Sequence, residues 1–232
     1  MTSHLRSIPL VEEILTSGQV TDATGARHKL RSGTAERFLD ALHDTVVRVR
    51  PATAVEIGMA NGVSSIAIAA GLMAVPSSGR LISIDPFQHR DWHGVGVEHM
   101  RRLGFGDRHT LMEEPSFLAL PRLLERGTVV DLAYIDGWHT FDYTLVDFFY
   151  LDKMLPVGGV VAFNDAGWRA VHKVIKFALS HRRYEEMDVG LKREYGSPIP
   201  SLRKIAAGRS GADRYFRKLE NWEPKWDFFA NF

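Results

Sequence analysis

The chain has 232 residues, no cysteine, 29 basic and 28 acidic side chains, and a formal net charge of +1. This length suits one α/β domain with a sizeable core. The near-zero charge gives no reason to expect a nucleic-acid partner, and the lack of cysteine excludes disulfides, thiol catalysis and cysteine metal sites. No apolar run approaches the length of a membrane span or a signal peptide, so we expect a cytoplasmic protein without membrane contact.

Residues 1–50 are predicted to be an N-terminal helical segment that packs on the core. A short helix is expected over residues 8–15, and a loop over residues 17–25. An amphipathic helix is expected from residue 34 to residue 49, with Thr34 as its N-cap. Pro51 ends this helix before the first buried strand.

Strands and helices alternate after residue 50. Apolar runs predict strands over residues 53–57, 80–85, 108–112, 129–135 and 158–164, and helical spacing predicts helices over 62–72, 93–104, 116–126, 141–154 and 167–181. Such alternation indicates a parallel sheet with helices on both faces, in a core over residues 51–208. The aromatic tail, residues 209–232, is expected to belong to the same single domain. The alternatives for this tail are a homodimer contact and a cover over the substrate site.

The turn after the first of these strands is the most informative segment. It carries Gly58, Ala60 and Gly62 between a buried acid, Glu56, and a helix with Ser64 in its first turn. Glycines let the backbone approach a ligand closely, and the free N–H groups of a helix start attract an anion. The pattern predicts a nucleotide-like cofactor at the carboxyl end of the sheet.

Two acids and one missing glycine indicate which cofactor this is. Asp85 ends the second strand, at the interval where Rossmann-type folds place an acid on the ribose hydroxyls. The third glycine of the dinucleotide fingerprint is absent, which disfavours a nicotinamide oxidoreductase. Glu56 suits the ammonium group of S-adenosylmethionine (SAM), and the helix start with Ser64 suits its carboxylate. The turn therefore favours SAM.

Four segments, in this order, resemble the motifs of class I SAM-dependent methyltransferases: residues 55–65, 79–85, 131–139 and 155–165. The resemblance covers roughly residues 30–180. Within the class, the chain is most similar to metal-dependent small-molecule O-methyltransferases of the catechol, caffeoyl-CoA, macrocin and mycinamicin types. This resemblance implies a Rossmann-like, doubly wound, mostly parallel seven-stranded sheet with a C-terminal antiparallel hairpin, here over residues 184–191 and 202–207.

Polar side chains follow two neighbouring strands of the predicted sheet. Asp136 follows the fourth strand, and Asn164 and Asp165 follow the fifth. Their oxygens form a candidate Mg²⁺ site, where a bound substrate hydroxyl would become more acidic. The resembling families have their metal ligands at these positions, but they read Asp-Asn or Glu-Asp where this chain reads Asn-Asp. The neutral Asn164 weakens the site, and the alternative that these groups only cap loops stays open.

His139, three residues after Asp136, is the candidate general base, because imidazole can accept a hydroxyl proton near neutral pH. The resemblance to the macrolide-sugar enzymes supports this catalytic role for the Asp136–His139 pair, and Asp136 is also expected at the cofactor. The resemblance further places Ser116, after the third strand, at the adenine. The alternative for Ser116 is a helix N-cap.

These residues together predict a SAM-dependent, metal-assisted O-methyltransferase of a small hydroxylated molecule, such as a phenol, a sugar or a natural product. Two alternatives stay open. One is a metal-independent methyltransferase that uses His139 alone, and the other is a catalytically silent SAM-binding subunit that regulates or braces a partner.

Overall fold

The N-terminal part of the chain combines helices with a short hairpin. In a computed structural model that describes residues 3–76, 78–191 and 213–232, a 3₁₀ turn (His4–Ser7) precedes α1 (Pro9–Ser17), the strands β1 (Gln19–Thr21) and β2 (Arg27–Lys29), and α2 (Glu36–Val49). The predicted loop over residues 17–25 is therefore wrong in part, because β1 pairs antiparallel with β2. Three-residue strands are too short to show an alternating pattern. The predicted N-cap Thr34 is also wrong: the cap is Ala35, without a side-chain hydrogen bond.

Seven strands form the main sheet, in the order β5-β4-β3-β6-β7-β9-β8. They are β3 (Thr53–Ile57), β4 (Arg80–Ile84), β5 (His109–Met112), β6 (Leu132–Ile135), β7 (Val160–Phe163), β8 (Arg183–Glu186) and β9 (Arg214–Glu220). The first five of these are parallel to one another. The order in which strands are added to the sheet thus reverses after β3: β4 and β5 lie on one side of it, and β6 and β7 on the other. Open α/β sheets bind ligands at such a point. The predicted fold class is confirmed.

Helices cover both faces of this sheet: α3 (Val63–Ala74), α4 (Val95–Arg102), α5 (Ser116–Glu125), α6 (Phe141–Met154) and α7 (Arg169–His181). Successive strand residues enter different buried clusters, since Ala54 packs with α2 and α3 while Val55 packs with α5 and α6. This is the alternation that a strand imposes on its side chains. Across the described ranges, no helix combines the length and the apolar character that crossing a membrane requires.

The C-terminal hairpin differs from its predicted position. Strand β8 pairs antiparallel with β9, and β9 also pairs antiparallel with β7. Residues 202–207, the predicted second strand, lie outside the described residues, and β9 comes instead from the aromatic tail. Beyond β9, the rings of Phe228 and Phe232 pack against His181, with ring centroids 5.4 Å and 5.3 Å from the centroid of the imidazole.

A buried charge network holds this hairpin to α6. Asp152 accepts hydrogen bonds from Arg182 Nε (2.8 Å) and Tyr184 Oη (2.7 Å), and Lys218 Nζ lies 3.3 Å from it. All three charged side chains are buried. The hairpin therefore depends on one carboxylate that neutralises two cations.

Asp152→Ala is expected to lower the free energy of unfolding by about 3–5 kcal/mol, because it leaves two buried cations without their carboxylate. Urea denaturation followed by circular dichroism measures this loss. The control is Glu185→Ala in β8, which removes a half-exposed partner of Arg217 and should cost less than about 1 kcal/mol. Equal losses in the two variants would contradict the prediction.

Candidate active site

The carboxyl ends of the parallel strands open into a cavity of about 840 Å³. This is the edge where Rossmann-like sheets bind their ligands. The cavity is also walled by residues 32–35 and by aromatic side chains. Most of the predicted site residues line it: Gly58, Ala60, Ser64, Asp85, Ser116, Asp136, His139, Asn164 and Asp165. The other two predicted cofactor residues, Glu56 and Gly62, lie behind this wall.

The glycine turn after β3 needs its glycines for close backbone approach. Gly58 has a φ of +87°, and a Cβ built on it would lie 2.1 Å from the carbonyl oxygen of Asp136. Gly62 has a φ of +73°, and its Cβ would lie 2.7 Å from the Cα of Gly96. Gly58 thus lets the turn contact the loop after β6, while Gly62 serves the approach of α3 to α4.

Glu56 points into the protein rather than into the cavity. Its carboxylate accepts hydrogen bonds from the hydroxyls of Ser64 (2.6 Å), Ser65 (2.5 Å) and Ser83 (2.9 Å). Burial raises the pKa of this carboxyl, and the three hydroxyl donors oppose that rise. The structure therefore shows Glu56 fastening α3 to β3 and β4, and its contact with an ammonium group stays a prediction.

Asp85 ties the glycine turn to the end of β4. Its carboxylate accepts hydrogen bonds from the backbone N–H groups of Met59 (3.1 Å), Ala60 (2.8 Å) and Phe87 (2.8 Å). Gln88 Nε2 also donates to Oδ2 (3.4 Å). Oδ1 accepts a single hydrogen bond, from Phe87, so it can still accept a ribose hydroxyl. These bonds make Asp85 a cap of the turn, and its contact with the ribose stays a prediction.

His139 lies between the oxygen atoms of the other three predicted catalytic and metal residues. Its Nε2 is 3.3 Å from Asn164 Oδ1, 3.5 Å from Asp136 Oδ1 and 3.8 Å from Asp165 Oδ2. Both His139 (φ +56°) and Asp165 (φ +48°) have left-handed backbones. Such conformations are uncommon for residues other than glycine and often occur at functional sites. The structure thus brings the four residues together.

A buried network orients Asn164. Its Nδ2 donates to Asp213 Oδ1 (3.0 Å) and to Tyr134 Oη (3.2 Å), and Tyr134 Oη donates to Asp213 Oδ2 (2.8 Å). With its nitrogen bound on one side, the amide turns its oxygen towards His139. Asp213 and Tyr134 were not among the predicted site residues. Asp213 lies 49 residues from Asn164 in the chain, so no local spacing signals the contact.

The site concentrates acidic side chains. Burial raises the pKa of Asp136 well above its usual range, and the nearby carboxylates of Asp213 and Glu56 add to this. Burial also raises the pKa of Asp165 and brings that of Asp213 to about 7. A bound cation, or a protonated His139, would relieve this repulsion.

Ser116 lies at a second polar position in the cavity wall. It is the first residue of α5, whose N-cap is Pro115, so the alternative of a helix N-cap is wrong for Ser116. Its hydroxyl bonds to the buried carboxyl of Asp147 in α6, and burial raises the pKa of that carboxyl to about 7. Asp147 Oδ1 has no hydrogen-bond partner within the described chain. Asp147 was not among the predicted site residues, although an acid on the buried face of α6 is an unusual pattern.

Residues 55–166 match a sequence family described as a methyltransferase domain, whereas comparison with curated proteins finds no match. Among solved structures, the chain is similar to cofactor-bound Rv0187 from MTB, with 16% identity, 92% of this chain and 93% of that chain covered, and a TM-score of 0.63.

Two further structures show the same fold. An O-methyltransferase from Bacillus cereus in complex with SAH has 15% identity, covers 92% of this chain and 93% of its own, and has a TM-score of 0.59. The O-methyltransferase TomG from Streptomyces achromogenes in complex with SAM has 16% identity to this chain and a TM-score of 0.55. The match covers 81% of this chain and 82% of that chain. Residues 55–166 therefore resemble a methyltransferase domain, and the chain has the fold of these SAM- and SAH-bound methyltransferases.

Proposed function

We propose that the protein transfers a methyl group from SAM to a hydroxyl oxygen of a small molecule. The observation that carries this proposal is the position of His139, whose Nε2 lies within 3.8 Å of three side-chain oxygens inside the cavity. The glycine turn and Asp85 form the adjoining wall. The names of the similar structures, two of them O-methyltransferases with SAM or SAH, support the same choice.

Each group in the site has a task in this reaction. The helix start at α3 and the carboxylate of Asp85 would hold the cofactor, which supplies an electrophilic methyl on a sulfonium. His139 would accept the hydroxyl proton as the oxygen–carbon bond forms and the sulfur–carbon bond breaks. The carboxylates of Asp136 and Asp165 would stabilise the resulting imidazolium. The protein thus supplies alignment and proton transfer.

Mg²⁺ assistance is part of this proposal. Asp136, Asp165 and the oxygen of Asn164 provide the hard oxygen donors that Mg²⁺ prefers, and a cation would favour the ionised forms of the two carboxyls. When bound there, the ion would acidify a coordinated hydroxyl. The ligand atoms of Asp136, His139 and Asp165 do not all lie within 4.8 Å of one another. These residues fit the ion by their chemistry, and the two carboxylates would move closer to bind it.

A metal-independent enzyme is the second candidate. His139 Nε2 lies within 3.8 Å of the carboxylates of Asp136 and Asp165. These carboxylates would stabilise the protonated ring, so His139 can act as base without an ion. This arrangement is the observation that favours the alternative.

The first experiment is a calorimetric titration of the protein with SAM, followed by transfer of labelled methyl from SAM to a panel of phenols, catechols and sugars. We expect binding of one SAM per chain and labelled product with at least one hydroxyl class. Absence of SAM binding would contradict the proposed function.

Removal of divalent metal with EDTA is expected to lower turnover strongly, and Mg²⁺ should restore it.

Asp165→Asn should weaken Mg²⁺ binding at least tenfold, while SAM affinity stays nearly unchanged, because only the ion needs this carboxylate. Because burial raises the pKa of Asp136, that carboxyl must lose a proton to bind metal, so Mg²⁺ affinity should rise with pH. Calorimetry measures both affinities. Full activity in EDTA would favour the metal-independent enzyme.

A further inference from the structure

Two histidines and an aspartate converge on the surface, outside the cavity. His4 Nε2 lies 3.1 Å from His43 Nδ1 and 3.4 Å from Asp44 Oδ1, and His43 Nδ1 lies 3.0 Å from the same Asp44 oxygen. These three atoms form a nearly equilateral triangle. Across the part of the chain that the structure describes, no other three His, Cys, Asp or Glu side chains bring ligand atoms within 4.8 Å of one another.

The size of the triangle suits a tetrahedral metal site. Metal–ligand bonds of about 2.0–2.1 Å place neighbouring ligand atoms of a tetrahedron about 3.3 Å apart. Hydrogen bonding satisfies the same three atoms less well. A ring nitrogen carries either one hydrogen or one lone pair, so His43 Nδ1 cannot make a full hydrogen bond to both of its neighbours. One cation could bind all three atoms, with a water molecule as fourth ligand.

A further carboxylate prepares His4 for this role. His4 Nδ1 lies 3.2 Å from Asp40 Oδ1, which also accepts a hydrogen bond from the Ser3 hydroxyl (2.5 Å). A carboxylate at Nδ1 favours the proton there and leaves the lone pair on Nε2, which faces the triangle. Histidines that ligate metals commonly have such a partner on their second nitrogen.

We propose that His4, His43 and Asp44 form a second metal site, separate from the active site, for Zn²⁺ or a similar transition-metal ion. Two imidazoles and one carboxylate suit such ions, whereas Mg²⁺ and Ca²⁺ prefer oxygen ligands throughout. The ion links the 3₁₀ turn at residues 4–7 to α2. Because it binds the folded arrangement, it stabilises the protein.

The test titrates the full chain, made without a histidine tag and freed of metal with EDTA, with Zn²⁺ by calorimetry and with Co²⁺ by visible absorption. The wild type should bind one equivalent more than His43→Gln, with an excess of Mg²⁺ unable to compete, and Zn²⁺ should raise its melting temperature more than that of the variant. Asp40→Asn should weaken Zn²⁺ binding by about 10–100-fold, the usual effect of losing a partner of a ligating histidine.

The matched control is His89→Gln, since the exposed His89 contacts a single carboxylate, that of Glu113. This variant should bind Zn²⁺ as the wild type does. Circular dichroism of the metal-free variants shows whether they fold. If His43→Gln does not fold, the same titrations of His4→Gln test the proposal. Equal stoichiometry and affinity in the wild type and a folded ligand variant would overturn the proposal. Zinc held elsewhere, for example near His139, is common to both proteins and cancels in the comparison.

Discussion

Replacing His139 with alanine is expected to reduce turnover by about 10²–10⁴-fold, the usual range for loss of a positioned general base. The imidazole is held between Asn164, Asp136 and Asp165, at 3.3–3.8 Å from their oxygens. SAM affinity should stay nearly unchanged, because the cofactor depends on the glycine turn and Asp85. Steady-state kinetics with the acceptor found in the panel, together with calorimetry, measures the two quantities.

The pH profile separates a base from a structural residue. The wild-type rate should rise with pH through a single ionisation, and this limb should vanish in His139→Ala. Added imidazole should restore part of the activity of the variant, because the deleted ring leaves a space beside the acceptor. A variant with near-normal turnover at neutral pH would show that the hydroxyl is activated without His139, which leaves the metal as the activator.

Asp85→Ala is expected to weaken SAM binding by roughly 5–150-fold, which corresponds to about 1–3 kcal/mol for the loss of a buried hydrogen-bond acceptor. Two causes contribute. The carboxylate would accept the ribose hydroxyls, and it holds the backbone N–H groups of Met59, Ala60 and Phe87. Calorimetric titration with SAM measures the loss, and Asp91→Ala, an exposed aspartate of the same loop, should bind normally.

A deoxyribose analogue distinguishes the two causes. The wild type should bind S-adenosylhomocysteine more tightly than its 2′,3′-dideoxy form, and Asp85→Ala should lose this preference. If the variant weakens both ligands equally and keeps the preference, Asp85 acts only by holding the turn. Unchanged SAM affinity in the variant would exclude both roles.

Local pattern was sufficient to predict much of this fold. The five parallel strands and the helices between them lie close to their predicted residues, because buried strands and amphipathic helices leave periodic signals in neighbouring residues. Asp136, Asn164 and Asp165 could be placed together for a related reason: residues that follow neighbouring parallel strands must meet at one edge of the sheet. The first hairpin and the Ala35 cap lacked such a signal.

Only the tertiary structure decided how the side chains at that edge are used. Glu56 lies near the end of β3 and Asp85 follows the adjacent β4, yet Glu56 turns inward to three serine hydroxyls and Asp85 turns to the glycine turn. Asp213 reaches Asn164 only because β9 inserts between β7 and β8. The sequence by itself determined the parallel strands of the core and the positions of the polar residues that follow them, since both depend on near neighbours in the chain. Side-chain direction and the contacts of β9 depend on residues far apart in sequence, and packing alone brings those together.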